Sequence, residues 1–304
     1  MDLSTGYRPP QVNTAARELL PMEGQATAPA AGTILNALST GVGSAFAIDE
    51  YTTATVTLDE RDGVTGEIAG APDGDARLIE RCVSLVVDRF GDGEGGNVRT
   101  ESDVPMAAGL KSSSAAANAT VMATLAALDA TDDISREDAC RLGVEAARDV
   151  GVTATGAFDD ASASMLGGVT LTDNTEDRLR ARDTVNWDVL VYTPPERAYS
   201  ADADVHRCQR IAPMARLVED LALEGEYGRA MTVNGLAFAA ALEFDPTPMV
   251  DVMADVTGVS LSGTGPSVTA VGEAEQLEAV ADRWRDRPGT TWLTTTQTEG
   301  TRVL

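Results

Sequence analysis

The run Pro105-Met106-Ala107-Ala108-Gly109-Leu110-Lys111-Ser112-Ser113-Ser114-Ala115 constrains this chain more than any other segment. A glycine among small residues lets the backbone turn tightly and approach a ligand or another loop. The serines then open a helix of small residues, expected from about Ser113 to Leu128. The first N–H groups of a helix lack intrahelical partners, and with the positive end of the helix dipole they form an anion site. Ala115 to Ala117 carry almost no side chain, so another element can pack closely there. The alternative is a serine-rich cap on a buried helix. Lys111 favours the phosphate site: of 23 basic residues it is the one lysine, the other 22 being arginine, and an ammonium suits a point charge near phosphate. The order of residues differs from the GxxxxGK[ST] loop, since no spaced glycine precedes a Gly-Lys-Ser/Thr sequence.

A chain of 304 residues is long enough for one large domain or two lobes with a cleft between them. Residues 1 to 21 read as a poorly ordered leader. The alternation of Ala54, Val56 and Leu58 among threonines marks a strand, with a turn at Arg61-Asp62-Gly63 and a return over Val64 to Ile68. Apolar spacing predicts a helix from Asp75 to Phe90, and Ser135 caps another over Arg136 to Asp149. Val98 to Val104 and Val169 to Leu171 read as strands, and a charged run over Asp173 to Asp183 separates them from a strand at Asp188 to Tyr192. Helices are expected near 210–224, 226–242, 247–256 and 273–286, with short strands at 259–261, 268–271 and 291–296. The fold class is α+β, a mixed first lobe followed by a sandwich-like second one.

The formal charge of -25 argues against nucleic acid and anionic membranes as partners, because like charges repel. An acidic, lysine-poor surface resembles that of proteins from salt-loving microbes. At about 1 M salt the Debye length is only about 3 Å, which screens such self-repulsion. The chain is therefore expected to melt at a lower temperature in dilute buffer than in molar KCl, and equal melting temperatures would remove the basis for that resemblance. Cys82, Cys140 and Cys208 show no metal-like spacing and read as buried, reduced thiols. The single histidine, His206, excludes a histidine-rich zinc site and disfavours a Ser-His-Asp triad. No run of 18 apolar residues occurs, and the first 20 residues lack the order of a signal peptide, so a cytoplasmic setting is expected.

Three further segments suit phosphoryl transfer, which needs a held metal, an aligned nucleophile and stabilised charge. Glu145 lies mid-helix, where a carboxylate turned inward could hold Mg²⁺ and one turned outward would be an ordinary solvated side chain. Gly156-Ala157-Phe158-Asp159-Asp160-Ala161-Ser162 places two carboxylates in a loop, either to orient a substrate hydroxyl and take its proton or simply as solvated turn residues. Ser262-Gly263-Thr264-Gly265-Pro266-Ser267 separates two short apolar strands and reads as a close-approach loop or a plain tight turn.

Taken together, these segments resemble the GHMP kinases, from Met22 to the end of the chain. The family's P-x-x-x-G-L-x-S-S-[SA] loop matches Pro105, Gly109, Leu110, Ser112, Ser113 and Ser114 or Ala115. The resemblance implies that Pro105 to Ala115 wrap the phosphates of ATP, with Lys111 beside them. It implies that Ser113 and Glu145 hold Mg²⁺, and that Asp159 is the catalytic carboxylate. Asp160 is the alternative, since it better preserves the distance to Gly167-Gly168. The third motif corresponds to Ser262 to Ser267, putting Gly263, Thr264 and Gly265 near the substrate. The implied fold is an N-terminal domain of the ribosomal-protein-S5 type (22–180, with the ATP loop) and a C-terminal α/β sandwich (181–304). The stretches Ala28 to Leu38 and Thr40 to Asp49, with Gly109 to Ser114 and Thr155 to Asp160, are most similar to the archaeal branch that phosphorylates the 3-hydroxyl of shikimate on the route to chorismate. Thr33 and Asn36 are then substrate-side candidates, and mevalonate-type or homoserine substrates are the alternatives within the family.

Overall fold

A computed structural model of the chain describes residues 21–105, 108–153, 156–198 and 203–304. Residues 1–20 of the expected leader, and Met106 and Ala107 of the expected phosphate loop, lie outside the described residues. The large sheet starts with two long strands, β1 (Met22–Leu35) and β2 (Val42–Asp59), paired antiparallel from Met22↔Leu58 to Leu35↔Ser44 with two register shifts. Next come β3 (Val64–Ile68), helix α1 (Arg77–Phe90), β4 (Gly95–Ser102), α2 (Ser112–Ala127), α3 (Arg136–Asp149), α4 (Phe158–Leu166), β5 (Val169–Asp173) and β6 (Arg178–Asp183). Then follow β7 (Asp188–Thr193), α5 (Val205–Arg210), α6 (Ala212–Leu223), α7 (Tyr227–Leu242), α8 (Thr247–Val250), β8 (Gly258–Leu261), β9 (Val268–Gly272), α9 (Ala274–Arg285), β10 (Thr290–Thr295) and β11 (Arg302–Val303).

The large sheet runs β11-β1-β2-β4-β3, with β5 paired to β2 and β6 to β5. The small sheet runs β10-β7-β9-β8. The expected division at 180 falls inside β6, and the chain end returns through β11 to pair with β1. The charged run 173–183 is thus largely strand: a solvated edge strand needs no apolar alternation once its backbone is paired.

Helices α1 to α4 cover one side of the large sheet and enclose a core of small and branched side chains, including Val56, Cys82, Val86, Leu125, Leu142 and Phe158. All three cysteines are buried and free. Helix α2 lies at the centre of that layer, touching β1, β2, α1, α3 and α4. Its alanines permit such contact on every side, as close packing requires. A second core joins the two sheets through Ile34, Phe46, Val189, Val191 and Met231. Strand β7 is buried on both faces: Val189 and Val191 point to this shared core, while Leu190 and Tyr192 point to a third core containing α9 and Trp284. This is the period-two alternation of a strand sandwiched between layers. No helix among the described residues is long and apolar enough to cross a membrane.

Candidate functional site

A cleft of about 1100 Å³ opens where the start of α2, the start of α4, the Ser262–Ser267 loop and the segment from Ile68 to Ile79 meet. Of the expected phosphate loop, Pro105, Gly109, Lys111, Ser112, Ser113 and Ser114 line it. Ala108, Leu110 and Ala115 are buried behind it, with the Leu110 carbonyl accepting from the Ala31 N–H of β1 at 3.3 Å.

The loop is shaped by contact with the third motif. Gly109 has φ +82°, a left-handed conformation, and a methyl group there would overlap the Ser262 carbonyl oxygen. The Ser262 hydroxyl donates to the Gly109 carbonyl at 2.9 Å, and the Ser267 N–H donates to Ala108 at 3.2 Å. Lys111 is also left-handed, at φ 65°, and stands immediately before α2. That turn directs its side chain back under the helix start, where a methyl at Gly263 would lie 2.6 Å from the ammonium nitrogen. The ammonium lies 2.9 Å from Oδ1 of Asp160, with side-chain exposures of 7% and 16%. This nearly buried ion pair links the N-termini of α2 and α4. Oδ1 is buried and makes the ion pair without forming a hydrogen bond, while Asp160 as a residue lines the cleft.

Asp159 is held differently. Its Oδ1 accepts from Asn174 Nδ2 at 2.7 Å, its N–H donates to Asn174 Oδ1 at 3.1 Å, and its Oδ2 lies against the backbone at Gly43. Burial, then the charge of Asp160, pushes the Asp159 carboxyl up to about 7, partly offset by Lys111 and Asn174. A raised carboxyl binds its proton more tightly in the folded state than in the unfolded one, so it contributes stability below its ordinary value of 3.8 that is lost as pH rises toward 7. Asp159→Asn removes this dependence. Its melting temperature should match wild type near pH 4 and exceed it increasingly up to pH 7–8, as thermal melts at fixed salt would show. A pH-independent difference would contradict the raised carboxyl.

Two asparagines with no motif signal in the sequence position these carboxylates. Asn174, 3% exposed, also receives the Thr172 hydroxyl at 2.7 Å. Asn118 of α2, fully buried, donates to the Ala161 carbonyl of α4 at 2.8 Å and ties the second turn of α2 to the start of α4. A buried asparagine within an apolar helix is the kind of signal that could have identified Asn118.

Other expected site residues stand elsewhere. Glu145 is 44% exposed, pairs with Arg89 of α1 at 2.6 Å and is absent from the cleft lining. The expectation that it faces inward is corrected by the packing of α3, whose inner face is Ala139, Cys140, Leu142, Gly143, Val144 and Ala146. Thr33 is fully buried, and its hydroxyl accepts from the Gly263 N–H at 2.7 Å, so it braces the third loop rather than facing a substrate. Asn36 reaches the cleft wall but uses both ends of its amide, donating to the Gly263 carbonyl at 2.8 Å and accepting from Leu38 N–H at 2.9 Å. Gly263 and Thr264 line the cleft, whereas Gly265 is buried behind it.

The arrangement offers helix-start N–H groups and serine hydroxyls to a polyphosphate, with a paired ammonium and carboxylate at the same place. Comparison with known proteins agrees with this chemistry. Residues 77–168 match the family model described as the GHMP kinases N terminal domain. Shikimate kinase of Halobacterium salinarum is 63% identical over 283 residues, which span 93% of this chain and 100% of that protein. Shikimate kinase of Methanosarcina mazei is 50% identical over 265 residues, 86% of this chain and 90% of that one. Among solved structures, a homoserine kinase from Cytophaga hutchinsonii superposes with a TM-score of 0.73 at 18% identity, covering 93% of this chain and 98% of that one.

Proposed function

The chain belongs to the GHMP kinase family, and from that premise we propose that it transfers the γ-phosphoryl group of ATP to the 3-hydroxyl of shikimate, giving shikimate 3-phosphate and ADP. The observation that carries the substrate is the 63% identity to a shikimate kinase along that protein's whole length. The cleft supports the reaction type.

In this reading the N–H groups and hydroxyls of Ser112 to Ser114 at the start of α2 bind the ATP phosphates, as helix N-termini bind anions generally. Gly109 keeps the loop low enough for the phosphates to approach the backbone. The whole-chain charge opposes a polyphosphate, so these local donors have to prevail over it. Asp160 accepts the proton of the acceptor hydroxyl while that oxygen attacks the γ-phosphorus and the bond to ADP breaks. Lys111 fixes the Asp160 carboxylate and, lying beside the phosphate loop, stabilises negative charge developing on the transferred group. Asp159 also lines the cleft but is held by Asn174, and it supports the start of α4. The register differs from the expectation that placed Asp159 first: Asp160 carries the pairing with Lys111.

Mg²⁺ commonly binds through one or two protein groups plus phosphate oxygens and water. No cluster of three or more His, Cys, Asp or Glu suited to a metal occurs among the described residues. The exposed Ser113 hydroxyl at the cleft fits such a sparse protein contribution, and Glu145 does not. When bound with ATP the ion neutralises phosphate charge. The free buried thiols are consistent with a reduced, cytoplasmic setting.

A coupled assay in molar KCl with Mg²⁺ and ATP, offering shikimate, mevalonate and homoserine separately, tests the proposal. Selective turnover of shikimate is expected. Turnover of another alcohol would retain the kinase and overturn the substrate, and inactivity on all three would overturn both.

A further inference from the structure

An anionic acceptor needs a committed cation in this cleft, because the chain carries a formal charge of -25 and Asp73, Asp75, Asp159 and Asp160 all line the same space. Among the described residues three cationic side chains line it: Arg77, Lys111 and Arg197. Lys111 is engaged by Asp160 at 2.9 Å. Arg77 is engaged by Asp75, its Nε lying 2.9 and 3.0 Å from the two carboxylate oxygens and Nη2 donating to Oδ2 at 2.5 Å. Arg197 forms no ion pair among the described residues, although most arginines of this chain do.

The position of Arg197 in the fold also differs from that of Arg77. Arg77 starts α1, just after the edge strand β3 of the large sheet. Arg197 follows β7 of the small sheet by four residues. The end of β7 is tied to the third loop, with the Thr193 and Ser267 hydroxyl oxygens 2.7 Å apart. That same loop carries Gly263, which backs the Lys111 ammonium. Arg197 thus lines the cleft on a segment that follows a strand tied to the loop backing Lys111.

Resting on the shikimate reading above, we infer that Arg197 binds the carboxylate of the acceptor and so sets which hydroxyl faces Asp160. A guanidinium presents a planar fork that matches a carboxylate in two parallel hydrogen bonds, whereas an ammonium cannot impose that orientation. In shikimate the carboxyl-bearing carbon and the carbon bearing the 3-hydroxyl are separated by a single ring carbon. Fixing one group therefore restricts the position of the other. The chain thereby selects an acid rather than a neutral alcohol, through a residue outside the phosphate loop and the carboxylate pair.

The test is steady-state kinetics of wild type, Arg197→Gln and Arg197→Lys, in molar KCl with Mg²⁺ and ATP, using shikimate and its methyl ester. For wild type the ester should show a KM higher by about 10- to 100-fold, the range expected for loss of a charge-assisted contact. Arg197→Gln should raise the KM for shikimate to that of the ester while leaving the KM for the ester and for ATP unchanged. Arg197→Lys should recover part of the preference, since it keeps the charge and loses the fork. An unchanged KM for shikimate, an equal rise for acid and ester, or a rise confined to ATP would each overturn the assignment while leaving the substrate intact. Failure of wild type to phosphorylate shikimate at all would instead overturn the reading of function on which the assignment rests.

Discussion

Asp160→Asn is expected to lower kcat with shikimate by about 10²- to 10⁴-fold, the usual contribution of a positioned general base, while the Kd for ATP changes little. The amide keeps the size of the side chain and removes its ability to take the hydroxyl proton. It also leaves the Lys111 ammonium without its carboxylate, and that pair is nearly buried, at 7% and 16% exposure. Some loss of thermal stability should accompany the loss of rate, since an unpaired buried charge is unfavourable. Asp159→Asn separates the two roles. Asp159 Oδ1 accepts from Asn174, a contact that an asparagine oxygen can keep, so this variant should retain much more activity than Asp160→Asn. Single-turnover rates with saturating ATP make the comparison directly. If Asp159→Asn is the inactive variant and Asp160→Asn the active one, the carboxylate register proposed here is off by one.

The second large effect concerns Gly109. Valine at this position would have to adopt φ +82° and place its Cβ against the Ser262 carbonyl oxygen and 2.9 Å from the carbonyl oxygen of Gly265. Left-handed backbone costs a β-branched residue about 1–3 kcal/mol before any clash is counted. Gly109→Val should therefore lower Tm by about 5–10 °C and raise the KM for ATP by more than about 10-fold, because the loop and its partner must separate where the phosphates approach. Gly63→Val is the matched control: it has φ +81° and nothing within 4 Å of the added carbon. It should show the backbone penalty alone, with the KM for ATP unchanged. Equal effects of the two substitutions on ATP would mean that contact with the Ser262–Ser267 loop plays no part in nucleotide binding.

Helices with strong local signals were legible in the sequence. The helix expected from Arg136 to Asp149 occupies those residues, capped as expected by Ser135, whose hydroxyl accepts from the Asp138 N–H at 3.1 Å. The helices expected near 226–242 and 273–286 are found at Tyr227–Leu242 and Ala274–Arg285. The segment read as a carboxylate loop is instead the first turn of α4. Ala157 precedes it in a left-handed conformation and offers no side-chain cap, so the local sequence does not announce a helix there. Its helical state follows from burial of Phe158, Ala161, Met165 and Leu166 in the core shared with α2 and α3. The helix expected over 247–256 is regular only from Thr247 to Val250, with turns beyond it.

By itself, the sequence determined that this chain builds an anion-binding loop ahead of a small-residue helix, places its one lysine there, and belongs with the GHMP kinases. Those properties depend on residue type and order: glycine where φ must be positive, serines at a helix start, alanines where a helix is enclosed. Only the tertiary structure decided which carboxylate meets Lys111, that Glu145 turns outward to Arg89, and that Thr33 and Asn36 brace the third loop. The reason is geometric. Successive residues on a helix point about 100° apart, so Asp159 and Asp160 reach the same cleft with different partners, and which one pairs with Lys111 depends on how α4 packs against β2, β5 and Asn174.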